Sequence, residues 1–329
     1  MSQNESGAGG EIKTRDVPLA LEVARRYYEL QQNKVEIAAA LGITRFKVAR
    51  LLRQCLDSGI VHVTITPPGA GGSDIEQLLR AQYDLQHVVV VDTRLNELEP
   101  LARTRLGEAA AALLMRLVTE RDVVGFGWGR TMKATADAVT ALPTCPIVQL
   151  GGMAGNLGEN STELVRRLAA VSHGQAYPLY APLLLPDADT REGLLRQPGI
   201  AATVKRFADV TIALVAVGSW DPPNSQLRTA LSVTEQRRLS QLGVRAEVCA
   251  ALLDDDGHPL SDVVTDRMLA IGAAQLRRIP TVIAAAGGRS KVRALRSVLL
   301  GRLATSLVTD RQVAQDLLSL SERDALAPQ

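Results

Sequence analysis

Hydrophobic positions along the chain fall into two textures. Up to residue 53 they recur in short groups at helical spacing. The segment 19–31, LALEVARRYYELQ, predicts an amphipathic helix with Leu21, Ala24, Tyr28 and Leu30 toward a core. Arg25 and Arg26 fall on its other side, where phosphate contact and simple solvation are both open. The segment 34–53, KVEIAAALGITRFKVARLLR, predicts two short helices joined by a turn. Ile37, Ala38 and Leu41 face inward on the first, and Val48, Leu51 and Leu52 share a face on the second. Gly42 can take the positive φ that the turn needs, and Thr44 offers a hydroxyl to cap the second helix. Beyond the stop at Ser58-Gly59, the β-branched stretch 60–65 predicts a short strand or wing. Residues 66–73, TPPGAGGS, read as a Pro/Gly-rich linker.

After the linker, strands that are apolar throughout alternate with helices. Helices are expected at 75–83, 98–119, 132–141, 162–171, 291–302 and 311–320. Strands are expected at 87–92, 123–126, 146–150, 176–180, 210–217, 247–253, 281–286 and 306–309. Continuous apolar strands between helices indicate a mainly parallel sheet covered on both faces, an α/β doubly wound domain. The stretch 185–198 carries no regular period and is expected to be irregular. The long helix 98–119 has enough apolar surface to serve as a dimer seam. The resulting division is a lead-in over 1–18, a helix-turn-helix domain over 19–66, a linker over 67–73 and a larger domain over 74–329.

Composition narrows the picture. Lys and Arg number 37 against 35 Asp and Glu, a formal net charge of +2, so the chain is no general coat for polyanions. Any nucleic-acid binding must come from a local patch. The second short helix supplies one: Arg45, Lys47, Arg50 and Arg53 lie on it, with no acidic residue from Thr44 to Arg53. That is the charge pattern of a helix entering the DNA major groove, where phosphate neutralisation supplies much of the affinity. The three cysteines, Cys55, Cys145 and Cys249, are far apart and form no metal-binding spacing. With no apolar leader and no run of roughly 20 apolar residues, the expected location is cytoplasmic, with no membrane partner and no metal or cofactor.

In a parallel sheet, ligands bind beyond the carboxyl ends of the strands. Two strand-to-helix loops there are glycine-rich. One is Gly125-Phe126-Gly127-Trp128-Gly129-Arg130-Thr131; the other is Ala286-Gly287-Gly288-Arg289-Ser290-Lys291. Glycines let backbone N–H groups crowd an anion, and a helix N-terminus adds partial positive charge. A tight packing turn is the alternative for each. Lys291 is unfavourable at the positive end of a helix unless an anion sits there too, so the two loops together suggest a phosphorylated small molecule.

The order helix-turn-helix, linker, G-F-G-W-G-R-T, Q-L-G-G, Y-P-L-Y-A-P, D-D-D-G, A-A-G-G-R-S-K and L-V-T-D resembles the SorC family of bacterial transcriptional regulators, from about residue 19 to about residue 318. The resemblance implies a small winged helix-turn-helix domain followed by a Rossmann-like effector domain resembling sugar-phosphate isomerases and deaminases. It also implies a sugar, polyol or sugar-phosphate effector, operator DNA as partner, and a homodimer or homotetramer. Carried over residue by residue, Gly127, Gly129, Arg130 and Thr131 hold one end of the effector, and Gly287, Gly288 and Lys291 hold a phosphate. Gly151 and Gly152 line the pocket wall, and Asp254 supplies a carboxylate for sugar hydroxyls, with an acidic turn before Gly257 as its alternative. Arg267 either clamps an anion or pairs with a neighbouring acid. Thr44, Arg45, Lys47 and Arg50 approach bases, and Arg53 a phosphate. The rival is an enzyme acting on sugar phosphates. Catalysis needs a positioned acid and base, and none of His62, His87, His173 and His258 stands beside a plausible partner in sequence.

Overall fold

The computed structural model describes residues 17–28, 30, 32–58, 60–61, 74–92, 99–153 and 161–326. Most of the expected wing and all of the expected linker lie outside these residues. The chain divides into two compact units, residues 1–71 and 72–329.

The first unit holds α1 (Val17–Tyr28), α2 (Lys34–Leu41) and α3 (Arg45–Asp57). Asn33 starts α2 through a reciprocal cap. Its side chain accepts from the backbone N–H groups of Val35 and Glu36 at 2.9 and 3.0 Å, and Glu36 accepts from the Asn33 N–H at 2.9 Å. Such a cap contributes about 1 kcal/mol. Gly42 ends α2 at φ 63°, and Thr44 caps α3 by accepting from Lys47 N at 3.2 Å. A small core follows from Ala20, Val23, Ala24, Ile37, Val48, Leu51, Leu52 and Cys55. The inward face of α1 differs from the expected one: Leu21 and Leu30 are exposed, and Ala20, Val23 and Tyr27 turn inward with Ala24. Ala20 takes the place nearest α3 because that helix passes close, with Cys55 Sγ only 3.4 Å from the Ala20 carbonyl.

The second unit opens with α4 (Asp74–Tyr83), β1 (His87–Val91), α5 (Glu99–Leu117), β2 (Val124–Phe126), α6 (Arg130–Ala138), β3 (Ile147–Gln149), α7 (Ser161–Ser172) and β4 (Ala176–Tyr177). Helices α8 (Ala188–Leu195), inside the stretch expected to be irregular, and α9 (Pro198–Lys205), starting at its last residue, follow; Asp187 caps the former and Pro198 opens the latter. Next come β5 (Ile212–Val215), β6 (Gly218–Ser219), α10 (Gln226–Ala230), α11 (Val233–Gln241), β7 (Ala246–Val248), β8 (Ala251–Leu253), β9 (Pro259–Leu260), α12 (Val263–Asp266) and α13 (Ala273–Leu276). The unit closes with β10 (Thr281–Ala285), α14 (Val292–Leu300), β11 (Ser306–Asp310) and α15 (Arg311–Leu326).

Seven parallel strands form the main sheet in the order β1-β11-β10-β5-β2-β3-β4. Both faces are apolar, as a doubly covered sheet requires. Val124, Phe126, Ile212, Leu214, Ile283 and Val308 point to one core, and Ala213, Val215, Val282, Ala284 and Leu307 to the other. From β2 the chain runs outward through β3 and β4, then returns to β5 on the other side of β2. That reversal opens a crevice beyond the strand ends between β2 and β5.

Two expectations are corrected here. The stretch 247–253 is not one strand but the hairpin β7–β8 of a second, antiparallel sheet, β6-β7-β8-β9. Its turn residues, Cys249 and Ala250, sit at φ 46° and 63°, the mirror-image turn geometry that usually calls for Asn-Gly. The apolar face of α5 is consumed inside its own unit: Leu106, Ala110, Ala111, Leu113 and Leu114 are buried in the core that includes Met132 and Ala136 of α6. Leu101, near its start, is the large apolar side chain that this helix leaves exposed.

Candidate functional site

A cavity of about 670 Å³ opens at the carboxyl ends of the central strands, within the range of small-molecule sites. The segments after β2, β5 and β10 all reach it, and so does the start of α15 directly after β11. The glycine loop after β2 contributes Trp128, Gly129, Arg130 and Thr131, and the loop after β10 contributes Gly287, Gly288, Arg289 and Lys291. The two loops singled out in the sequence therefore meet at one site.

Asn224, just before α10, ties them together. Its side-chain oxygen accepts from Arg130 Nη2 at 2.6 Å, its amide donates to Ser290 Oγ at 3.3 Å, and its carbonyl accepts from Lys291 Nζ. Arg130 also approaches Glu99 at 3.5 Å. The hydrogen bond of Lys291 goes to a neutral carbonyl. Burial lowers its pKa from 10.5 to about 8, against the pull of the Glu247 carboxylate. A cation held this way is strengthened by an incoming anion. Gly129 stands at φ 120° ahead of α6 and provides no side-chain cap, so the N–H groups of the first turn remain for a ligand.

Two buried carboxylates face the same space. Glu247, on β7, has its Oε2 accepting from Ser225 Oγ at 2.9 Å and its Oε1 from Ala250 N at 3.5 Å. Burial raises its pKa, with the Ser225 hydrogen bond and the Lys291 charge opposing that rise. Gly218 makes room for it, since a Cβ there would collide with Oε2. Asp310, at the end of β11, accepts from Gly288 N at 2.6 Å and Val313 N at 2.9 Å. It thereby orients the second glycine loop and caps α15. A Cβ on Gly287 would lie 2.6 Å from Asp310 Oδ2 and 2.5 Å from Leu106 Cδ1, so that glycine is there for close approach.

The remaining candidates have other places. Gly127 donates to Leu214 O at 2.9 Å, and a Cβ there would lie 3.3 Å from that same oxygen. Neither Gly151 nor Gly152 lines the cavity: Gly151 admits the Trp128 ring, which does line it, and Gly152 admits the backbone at Pro182 away from it. Asp254 lies outside the cavity: its Oδ1 accepts from Asp256 N and His258 N at 3.0 and 2.8 Å. It takes the acidic-turn role. Asp254, Asp256 and His258 do offer ligand atoms within 4.8 Å of one another, on a largely exposed turn whose hydrogen bonds close on themselves. Arg267 also lies outside, pairing with Glu235 and donating to Leu185 O at 2.7 Å.

In the first unit, α3 sets Arg45, Arg50 and Arg53 in solvent and leaves Lys47 half-buried. Thr44 is exposed, with its hydroxyl engaged in the cap. Arg26 is paired with Glu22 at 2.7 Å and is solvated structure rather than a free cation.

A family model for a sugar-binding domain matches residues 69–319. The full-length sorbitol operon regulator SorC from Klebsiella pneumoniae has a crystal structure similar to this one, with a TM-score of 0.73 and 25% identity, covering 93% of this chain and 100% of that one. The chain belongs to the SorC-type sugar-binding domain family. Among curated SorC-type relatives, the sorbitol operon regulator of K. pneumoniae is 27% identical over 312 residues, spanning 92% of this chain and 98% of its own length. The erythritol catabolism regulatory protein of Brucella abortus is 28% identical over 310 residues, spanning 92% and 97%. The SorC-type fold thus extends across both units.

Sequence reasoning overlooked Asn224, Glu247 and Asp310. Glu247 was visible as a lone charge inside an apolar strand, and Asp310 as an acid closing the apolar run L-V-T-D. Asn224 had no such signal, because its importance comes from where the β6–α10 connection lands.

Proposed function

We propose that the chain is a transcriptional regulator of a carbohydrate or polyol catabolic operon whose operator binding is controlled by a phosphorylated sugar or polyol. The observation that carries this reading is a cavity that combines Arg130, Lys291 and the uncapped first turn of α6 with the buried acceptors Glu247 and Asp310. The cations and N–H groups match a phosphate. Carboxylates suit hydroxyl donors along a polyol chain. The names of the relatives point the same way, since they include regulators of sorbitol and erythritol use. Helix α3 supplies the output, with Thr44, Arg45, Lys47 and Arg50 toward base edges and Arg53 on a phosphate. Assembly as a homodimer or homotetramer would present paired reading helices to a two-fold operator.

A thermal-shift screen of sugars, polyols and their phosphates against the full chain tests this function. One phosphorylated compound is expected to raise the melting temperature and to change the mobility shift of the preferred DNA. No stabilisation by any of them would defeat the effector reading, and consumption of the compound would make the cavity catalytic instead.

A further inference from the structure

Helix α3 buries Val48, Leu51, Leu52 and Cys55. At 100° per residue, the face opposite that core is centred on Phe46, Arg50 and Arg53, spaced i, i+4 and i+7. All three are exposed. The chain has three phenylalanines; Phe126 and Phe207 are 0% and 3% exposed, whereas Phe46 is 81% exposed. The core of the first unit closes without it, since Phe46 is neither a member of that cluster nor packed against it. Its ring instead lies under the guanidinium of Arg45, 5.9 Å from the centroid. A phenyl set in a stripe of arginines, with no acid between Thr44 and Arg53, is complementary to a surface that is anionic at its edges and apolar at a point. The major groove is such a surface wherever it presents the 5-methyl group of thymine between two phosphate backbones.

We propose that Phe46 is a sequence-reading residue that packs on a thymine methyl group in the major groove. This rests on the reading of α3 as the DNA-contacting helix and adds the base that it selects. The charge of Arg53 on a phosphate supplies affinity with little discrimination among sequences. Phe46 supplies discrimination at one position of each half-site, because a cytosine there removes the methyl and exposes an amino group to the ring.

The test uses the full chain and duplex DNA enriched by it from random sequence. Each thymine of the enriched half-site is replaced singly by deoxyuridine, which removes the methyl alone. At one position the wild-type protein is expected to bind about four-fold more weakly, the equivalent of one buried methyl at ~0.8 kcal/mol. Phe46→Ala should lose a similar factor on the thymine duplex and show no further loss on the deoxyuridine duplex. Phe46→Leu should keep the methyl sensitivity, and both variants should melt as wild type. Insensitivity of the wild type to every replacement overturns the proposal, as does a methyl effect that persists undiminished in Phe46→Ala. A change in sedimentation of Phe46→Ala with its methyl effect intact overturns it too, by assigning the ring to a contact between copies. Failure to enrich any sequence defeats the DNA-binding reading itself, a result distinct from enriched DNA that ignores the methyl.

Discussion

Lys291 is the residue at which the proposed effector site is most directly tested. Its amine titrates near 10.5 when unfolded and near 8 when folded, because burial disfavours the charged form. Between those values the unfolded chain holds more protons, so the stability tied to this group rises with pH across that window; below about 8 its buried charge is a standing cost. Glu247 runs the other way: its raised pKa contributes stability that is lost as pH rises through its folded value. A phosphate ligand needs the protonated amine. Affinity for a phosphorylated effector is therefore expected to fall as pH rises through about 8, and Lys291→Met should weaken binding and flatten that dependence. Calorimetric titrations at neutral and alkaline pH measure both. The adjoining glycines separate two physical causes. Gly288→Ala meets no neighbour but must hold φ +87°, at a cost on the order of 1–3 kcal/mol. Gly287→Ala drives a methyl into Asp310 and should abolish effector binding by displacing the loop. Thermal melting and titration of the two variants distinguish strain from collision.

At the scale of elements, α2 and α3 are set by local signals, and their turn should be correspondingly sensitive. Gly42 sits at φ 63° with no atom near a would-be Cβ, so Gly42→Ala is a test of conformation alone. The expected loss is about 1 kcal/mol of first-unit stability, read as a lower melting temperature and weaker DNA binding. Arg50→Ala should weaken DNA binding at least ten-fold while leaving effector affinity unchanged, and Lys291→Ala should do the reverse. Mobility shift and calorimetry on the same two proteins check this; loss of both activities in either variant would count against the division of labour. The hairpin β7–β8 shows the limit of such local reading. Neither Cys249 nor Ala250 is a turn residue by type, yet both adopt positive φ, held there by the buried strands on either side.

For the whole molecule, control of DNA binding must be a coupling free energy between two units. An effector changes DNA affinity only if it binds unequally to the DNA-competent and DNA-incompetent arrangements, and the coupling is then reciprocal. Whatever factor the effector imposes on operator affinity, operator DNA is expected to impose on effector affinity. Calorimetric titration of effector with and without bound operator measures it, and unequal factors would rule out simple linkage. Saturation at 100 times the dissociation constant should stabilise the folded state by about 2.7 kcal/mol. Modest charge on α3 is consistent with several copies acting together, since linked binding events multiply affinity. Among the described residues no helix is long and apolar enough to cross a membrane.

What the sequence determined by itself was periodic or local. Helical spacing and the Gly42 turn specified α2 and α3, while all-apolar runs specified a parallel sheet covered on both faces. Glycine-rich loops after β2 and β10 located the cavity, because their function depends on backbone freedom that glycine alone confers. Tertiary structure decided the rest. It moved the inward face of α1 by a residue to fit the close passage of α3, and it spent the apolar face of α5 within its own unit. It retired Asp254 to a turn and Arg267 to an ion pair, because their nearest partners come from chain geometry rather than residue type. It also brought in Asn224, Glu247 and Asp310, whose side chains become a site only where non-adjacent strand ends converge. Charge along α3 was legible from the start; that Phe46 stands bare among those charges was known only once the helix had a buried side.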